Sequence, residues 1–337
     1  MKRQGTFPFT AIIGQDTMKK ALVLNVVNPK LGGVLIQGEK GTAKSTAVRA
    51  LADLLPPRKC IKGCRFHCDP DDKANWCDEC HEKYDHEEPP VEMLPMKVVE
   101  LPVSATEDRV VGTLDIEAAI REGKRSFETG ILADANRNIL YVDEINLLDD
   151  HVVDVLLDSA AMGINTVERE GISYSHPARF SLVGTMNPEE GDIRPQLLDR
   201  FALSVKVVGE QDPEKRAEII KRRLEYEADP EPFLEKWKDE QAKEVRRIER
   251  AMKLLPQVTA SNDILLLAAK ISITLGVDGH RADITLIKTA ETIAAVAGHT
   301  EVTKEDIREA SRLALPHRMR RRPFEAVSYT HLTLPTI

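Results

Sequence analysis

The sequence predicts an α/β fold in which a mostly parallel sheet is flanked by helices and is followed by a smaller all-helical domain. Two observations lead to this fold class. From Thr6 to about Val208, short apolar runs alternate with amphipathic stretches, a pattern typical of a parallel sheet with helical crossovers. Beyond Gly209 the chain becomes charge-rich and helical. We therefore expect one domain over residues 1–208 and a helical domain over residues 209–323.

The individual elements follow from local patterns. Four apolar runs predict buried strands at residues 33–37, 98–101, 139–142 and 180–183. Alternating polarity around Glu170 and Gly171 predicts a β-hairpin over residues 165–175. Helices are expected at residues 45–55, 212–255, 264–275 and 284–297, with prolines at 230 and 232 interrupting the second. Thr303 is the expected N-cap of a last helix.

Composition excludes several classes of protein. The 337 residues are 42% apolar and 30% charged, and the net charge of −8 argues against a general nucleic-acid binder. No apolar run approaches the roughly 18 residues of a membrane span, and the first residues lack the apolar core of a secretory signal. All five cysteines lie between Cys60 and Cys80, unlike a secreted disulfide framework, so we expect a cytoplasmic location.

A phosphate-binding loop is predicted where the first strand meets the first of these helices. Residues 38–45 read GEKGTAKS, and glycines there let backbone N–H groups wrap around phosphate at a helix N-terminus. Lys44 is expected to reach the β- and γ-phosphates of ATP, and Ser45 to bind Mg²⁺. The alternative is a glycine turn with a surface lysine. The expected nucleotide-binding residues here are Gly38, Glu39, Lys40, Gly41, Thr42, Ala43, Lys44, Ser45 and Thr46.

Polar residues follow two further predicted strands. Asp143 and Glu144 end the run at 139–142, where Asp143 is expected to hold Mg²⁺ through water and Glu144 to orient the attacking water. The alternative is an acid pair that begins a helix, which the phosphate loop upstream disfavours. Asn187 follows the run at 180–183 and can hold the same water. It can equally be a turn residue before Pro188.

Together these motifs resemble those of the AAA+ P-loop ATPases, and specifically the motor subunits of the magnesium and cobalt chelatase family. The resemblance covers the chain from about residue 7 to residue 323. It is carried by GEKGTAKS at 38–45, LYVDEINLL at 140–148, GTMNPEEGDIRPQLLDR at 184–200 and GHRAD at 279–283. Ala43, where the general loop pattern has glycine, is the usual residue in this family.

The resemblance implies roles for further residues. Ile13, Gly14 and Gln15 match the segment beside the adenine, and Asn187 matches sensor 1. Arg200 matches an arginine finger that acts on a neighbour's nucleotide, and Arg281 matches the sensor 2 arginine, which contacts phosphate. Residues 106–117 and the hairpin at 165–175 match insertions that project from the ring, so they are expected to couple the motor to its partners.

The same resemblance implies an assembly and an activity. Members form homo-oligomeric rings, often hexamers, that act with a von Willebrand type A domain, either a separate subunit or a fused domain, and with a large tetrapyrrole-binding subunit. We expect a motor whose ATP hydrolysis drives insertion of Mg²⁺ or Co²⁺ into a porphyrin or corrin. The alternatives are an AAA+ chaperone that remodels proteins with type A domain partners, without a tetrapyrrole role, and a nucleotide-binding regulator without turnover.

Four cysteines within a polar insert, at about residues 58–90, suggest a metal site. Cys64, Cys68, Cys77 and Cys80 supply four thiolates, which suit a closed tetrahedral zinc site. A segment so poor in apolar residues needs such a staple to hold a fold. An iron–sulfur cluster also takes four cysteines, and free thiols are a further alternative. The insert resembles one in a subset of the family often described as cobaltochelatases.

The last residues, 324–337, differ from the rest of the chain. From Ser328 onward they contain no Asp, Glu, Lys or Arg, and they resemble translated adaptor or out-of-frame sequence. We expect an artefactual tail on a truncated chain whose natural form can continue toward a type A domain. The alternative is an ordinary flexible tail.

Overall fold

The structure is a computed structural model, which describes residues 6–39, 41–115, 126–169, 172–277 and 279–319. Five parallel strands form its central sheet, in the order β11-β1-β10-β7-β4. With all strands numbered in chain order, they are β1 (Val34–Gly38), β4 (Val98–Leu101), β7 (Ile139–Val142), β10 (Ser181–Met186) and β11 (Leu203–Val207). The α/β prediction is confirmed, and β11 is an additional strand that the sequence analysis did not identify.

Helices cover both faces of the sheet. The helices of this part of the chain are α1 (Asp16–Val27), α2 (Lys44–Leu54), α3 (Asp78–Tyr84), α4 (Glu107–Val111), α5 (Ile131–Ala135), α6 (Asp150–Met162) and α7 (Pro195–Leu198), of which α3 lies in the cysteine insert. Val34 and Ile36 of β1 belong to the buried cluster that contains α1 and α2, whereas Leu35 belongs to the cluster that contains α5 and α6. Successive strand residues point to opposite faces, so β1 is buried on both sides.

Among the described residues, three antiparallel strand pairs lie outside the central sheet. They pair β2 (Arg58–Ile61) with β3 (Val91–Leu94), β5 (Gly112–Asp115) with β6 (Ser126–Thr129), and β8 (Ile164–Arg169) with β9 (Ile172–Pro177). The last pair is the hairpin predicted around residues 170 and 171. Those two apex residues lie outside the described residues, as do residues 116–125 between β5 and β6.

The second half of the chain is helical. Its helices are α8 (Pro213–Ala228), α9 (Pro230–Leu254), α10 (Asn262–Thr274), α11 (His280–Ala297) and α12 (Lys304–Ala314). Pro230 and Pro232 separate the predicted stretch 212–255 into α8 and α9, because proline is tolerated in the first turn of a helix but not in its interior. Thr303 caps α12 through a reciprocal capping box with Asp306, as predicted.

The end of the described chain contacts the sheet directly. Arg318 is buried and donates hydrogen bonds to the carbonyls of Phe201 and Ala202, which lead into β11. His317 Nε2 lies 2.9 Å from the Phe201 carbonyl oxygen, and burial lowers the pKa of His317 to about 3. Within the described residues, no helix is both long and apolar enough to cross a membrane. The predicted tail at 324–337 lies outside the described residues.

Candidate functional site

The predicted phosphate loop runs from the end of β1 to the start of α2. A side chain at Gly38 would place its Cβ 2.2 Å from the Val207 carbonyl oxygen, so only glycine fits there. Ala43 has a φ of 60°, in the left-handed region that favours glycine and costs other residues about 1 kcal/mol. This explains why the general pattern has glycine at that position. Lys40 lies outside the described residues.

The side chains of the loop turn toward its own backbone. Lys44 Nζ donates to the Gly38 carbonyl and, at 3.3 Å, to the Glu39 carbonyl. Thr42 Oγ1 donates to the same Glu39 oxygen at 2.8 Å. The Lys44 ammonium therefore lies over the loop and beside the N-terminus of α2, which is where an anion is stabilised.

The loop meets the predicted acidic and amide residues in one cavity. This cavity, of about 520 Å³, is lined by Gly41, Thr42, Ala43, Lys44, Ser45, Thr46, Tyr141, Asp143, Glu144, Thr185, Met186 and Asn187. The residues come from the carboxyl ends of β1, β7 and β10, which are neighbours in the parallel sheet. Ligands of open α/β sheets bind at this edge. The structure thus brings Lys44, Ser45, Asp143, Glu144 and Asn187 together.

Two residues that sequence reasoning missed hold Asp143 in place. The register pairs Val142 with Gly184, so Asp143 lies beside Thr185. Thr185 Oγ1 donates to Asp143 Oδ1 and accepts the Glu144 N–H at 3.2 Å. Tyr141 Oη donates to the same Asp143 oxygen at 3.0 Å, and burial raises the Tyr141 pKa, which keeps this donor protonated.

A sequence signal for these two residues does exist. Tyr141 precedes Asp143 by two positions, and Thr185 precedes Asn187 by two. Residues two apart on a strand share a face, so a polar residue at that spacing points toward the same site. Glu144 itself has a φ of 53°. Left-handed backbone at a residue other than glycine costs free energy and concentrates at functional sites.

Thr185→Val should lower ATP turnover about tenfold to a hundredfold and raise the Mg²⁺ concentration needed for half-maximal rate. The change keeps the shape of the side chain but removes two hydrogen bonds, one of them to a carboxylate. Thr185→Ser keeps the hydroxyl and should retain most activity. Steady-state ATPase rates against Mg²⁺ concentration measure the effect, and a valine variant with the wild-type Mg²⁺ dependence would contradict it.

The segment predicted to lie beside adenine, residues 13–15, does not line the phosphate cavity. Gly14 and Gln15 precede α1 with φ values of 66° and 54°. Gln15 Nε2 donates to the Val208 carbonyl oxygen at 2.8 Å, just beyond β11. A second cavity of about 340 Å³ is lined by Gly38, Glu39 and Val208 among others. Neither cavity is lined by Ile13, Gly14 or Gln15, so their role stays a prediction.

The two predicted arginines also lie outside the cavity. Arg200 forms ion pairs with Asp154 and Asp158 on α6 of its own chain, and its side chain is 19% exposed. Arg281 Nη1 lies 3.6 Å from Asp199 Oδ2, and Asp199 also pairs with Arg318. Both arginines therefore lie around the short loop between α7 and β11. Neither arginine lines its own chain's phosphate cavity.

The four predicted metal ligands converge. The Sγ atoms of Cys64, Cys68, Cys77 and Cys80 all lie within 4.8 Å of one another, and those of Cys64 and Cys77 are 3.8 Å apart. A tetrahedral ion with zinc–sulfur bonds of about 2.3 Å would separate its sulfurs by about 3.8 Å. An iron–sulfur cluster binds its cysteines through several irons, which needs wider spacing. The geometry therefore fits one shared ion.

Two backbone N–H groups donate hydrogen bonds to sulfur atoms of this cysteine group. The Phe66 N–H donates to Cys64 Sγ at 3.4 Å, and the Cys77 N–H donates to Cys68 Sγ at 3.2 Å. Cys60, the fifth cysteine, is buried but does not belong to the group.

Fold and site together define an AAA ATPase. Residues 92–201 match the AAA domain family (dynein-related subfamily), and residues 266–331 match the AAA lid domain family. The chain is 59% identical to the magnesium-chelatase subunit ChlI homolog of Methanocaldococcus jannaschii, over 96% of this chain and 88% of that protein. It is 51% identical to the magnesium-chelatase subunit ChlI of Nostoc sp., over 96% and 87% of the two chains. The chain belongs to the family of magnesium-chelatase ChlI subunits.

A solved structure is similar over most of the chain. It belongs to a complex between subunits BchI and BchD of magnesium chelatase, based on cryo-EM at 7.5 Å. The match has 49% identity and a TM-score of 0.56, and it covers 94% of this chain and 97% of that one. The match to the lid family ends at residue 331, within the segment expected to be an artefactual tail.

Proposed function

We propose that this chain is the ATP-hydrolysing motor of a chelatase that inserts Mg²⁺ or Co²⁺ into a tetrapyrrole. The observation that carries this proposal is the 59% identity to a magnesium-chelatase subunit along 96% of the chain. The shared cavity of Lys44, Asp143 and Glu144 supports turnover rather than nucleotide binding alone. The chelatase names of the relatives favour this function over protein remodelling.

The loop between β1 and α2 would bind ATP. Backbone N–H groups of residues 38–46 and the Lys44 ammonium would surround the phosphates. The hydroxyl of Ser45 and the carboxylate of Asp143 are oxygen ligands of the kind that Mg²⁺ prefers, so the donor set fits this ion. When bound there, Mg²⁺ neutralises charge on the phosphates. Thr185 and Tyr141 keep Asp143 oriented toward the cavity.

Hydrolysis then depends on the water near the γ-phosphate. Glu144 would orient and polarise this water, and the amide of Asn187 would hold it from the neighbouring strand. Arg200 would stabilise the developing charge on the nucleotide of the next subunit, because it lies outside its own chain's cavity. We assign Arg281 to phosphate contact from the helical domain. These roles require a ring, for which we propose a hexamer.

A structural zinc ion would be bound by four thiolates, those of Cys64, Cys68, Cys77 and Cys80. We prefer zinc to an iron–sulfur cluster because the four sulfurs are close enough to share one ion. The ion would fasten a segment whose longest helix, α3, spans only Asp78–Tyr84.

Purified protein should contain about one zinc per chain. Replacing Cys77 and Cys80 with Ser should remove it, because two of the four ligands are lost. Cys60→Ser is the matched control and should keep the metal, since Cys60 lies outside the group. Metal analysis of anaerobically prepared protein measures both. A wild-type chain without zinc or iron would rule out the site.

Partners would turn hydrolysis into metal insertion. A relative in this family is described in a complex with subunit BchD, and we propose a comparable complex here. The partners would be a protein with a von Willebrand type A domain, or such a domain fused to this chain, and a large tetrapyrrole-binding subunit. We propose the cytoplasm as the compartment, since all five cysteines are free. The β8–β9 hairpin and residues 106–117 would couple the motor to these partners.

Reconstitution tests this function. The chain should support ATP-dependent formation of a metal tetrapyrrole with the type A and large subunits from the same genome, scored by absorbance. Deleting residues 166–173 should abolish insertion and spare ATP binding, because the hairpin does not line the nucleotide cavity. ATP hydrolysis with no insertion of Mg²⁺ or Co²⁺ into any tetrapyrrole, together with remodelling of a protein substrate, would favour the chaperone function instead.

A further inference from the structure

The cysteine insert shares its core with the hairpin that we propose contacts the partners. Phe66 lies between the ligands Cys64 and Cys68 in the chain and is fully buried. Its ring stacks on His176 of β9 with centroids 4.7 Å apart and an angle of 22°. Phe127 of β6 stacks on Tyr174 of β9 at 4.3 Å. The insert, the β5–β6 hairpin and the β8–β9 hairpin therefore share one aromatic cluster.

Polar contacts join the same elements. Arg65 Nη1 donates to the Phe127 carbonyl oxygen at 2.8 Å, and the same guanidinium pairs with Glu79, which lies between the ligands Cys77 and Cys80. Arg179, just after β9, pairs with Asp72 of the insert at 3.4 Å. Arg65 and Glu79 adjoin the proposed ligands Cys64 and Cys80, and Asp72 lies in the chain between Cys68 and Cys77, so the position of the ligand loops sets the position of these contacts.

The hairpin needs such support. A two-stranded hairpin is marginally stable alone in water, and β8–β9 pairs with no other strand among the described residues. β8 lies against α4, α6 and β5. On β9, the buried side chains Tyr174 and His176 alternate with exposed serines, so this strand presents a single buried face. The rings of that face contact Phe66 and Phe127, and His176 Nε2 also lies 2.9 Å from Asn165 Nδ2 of β8.

We infer that the four-cysteine metal unit is a brace for the β8–β9 hairpin, so that metal occupancy controls partner engagement rather than ATP hydrolysis. Phe66 and Arg65 act as positioning residues, because they transmit the fixed geometry of the ligand loops to β9 and β6. This inference rests on the proposed metal site and on the proposed chelatase function. The brace does not touch the nucleotide cavity, whose lining includes no residue of the insert.

Hydrogen exchange in the full chain tests the brace directly. Loss of the metal, by chelator or by Cys77→Ser with Cys80→Ser, should raise amide exchange in residues 164–177 about tenfold or more. Exchange in α2 should stay unchanged. Phe66→Ala should have the same effect on the hairpin while the protein keeps its metal, and Phe66→Leu should restore part of the protection. Met93→Ala, at an exposed position of β3 just after the insert, is the matched control.

Kinetics separate positioning from general destabilisation. Phe66→Ala should leave kcat and KM for ATP within about twofold of wild type and lower reconstituted metal insertion about tenfold or more. Unchanged hairpin exchange after metal loss would overturn the brace alone and leave the chelatase function standing. Exchange that rises equally in α2 would also overturn it, because the metal would then hold the whole fold. A protein that binds no metal would overturn the brace together with the proposed zinc site.

Discussion

Glu144→Gln should bind ATP with nearly wild-type affinity and lose ATP turnover by at least about a hundredfold. The substitution keeps the size of the side chain but removes the carboxylate that we propose orients the attacking water, a contribution of about 10²–10⁴ in rate. The phosphate loop is untouched, because its contacts come from residues 38–46 on a different strand and helix. Binding of a fluorescent ATP analogue and steady-state phosphate release measure the two effects separately.

Two further variants show whether the loss of turnover is specific to Glu144. Glu235→Gln makes the same chemical change on the exposed surface of α9 and should leave turnover unchanged. Lys44→Ala should instead lose ATP binding, because the ammonium over the phosphate loop is removed. Equal turnover in Glu144→Gln and the wild type would refute the assignment of Glu144 and with it the proposed hydrolytic site.

Arg200→Ala should lower ATP turnover about a thousandfold, since an arginine supplied from a neighbouring subunit contributes about 10³–10⁵ in rate. The structure holds Arg200 against Asp154 and Asp158 of its own chain. Those two carboxylates are 46% and 62% exposed, so the ion pairs are weak and can be exchanged for contact with a phosphate at small cost.

Mixing inactive subunits tests whether the arginine acts between chains. Arg200→Ala still has an intact phosphate loop, and Lys44→Ala still has an intact Arg200. In a random one-to-one ring, about a quarter of the head-to-tail interfaces would combine both intact parts, so about that fraction of activity should return. A mixed ring as inactive as its parents would show that Arg200 does not act in trans. So would a strictly monomeric protein with full activity.

Local patterns in the sequence were enough to predict the parallel sheet and the loop of residues 38–46. Hydrophobic periodicity reports on which side of a strand is buried, and the glycine pattern reports on backbone shapes that few residues adopt. The strand β11 was missed. Its alternation, Leu-Ser-Val-Lys-Val, is short and half polar, and only its pairing with β1 makes it part of the sheet.

The residue types of the candidate site were predicted from the sequence, but the residues that hydrogen-bond to Asp143 were not. Lys44, Asp143 and Asn187 follow strand ends, and the ends of parallel strands lie at the same edge, so their convergence could be expected. Thr185 was missed because its contact with Asp143 depends on the register between β7 and β10, which a single sequence does not specify. Cysteine spacing predicted that Cys64, Cys68, Cys77 and Cys80 would lie together, since they are close in the chain, and the structure groups their sulfur atoms.

What the sequence by itself determined is therefore local: the strands and helices with clear periodicity, the phosphate loop, the acidic strand end and the four cysteines. Only the tertiary structure decided which distant side chains meet. Phe66 stacks on His176, Arg200 pairs with α6, and Arg318 holds the loop before β11. These contacts join residues that are far apart in the chain. Their geometry is set by the packing of separate helices and strands against each other, and a short window of sequence does not encode this packing.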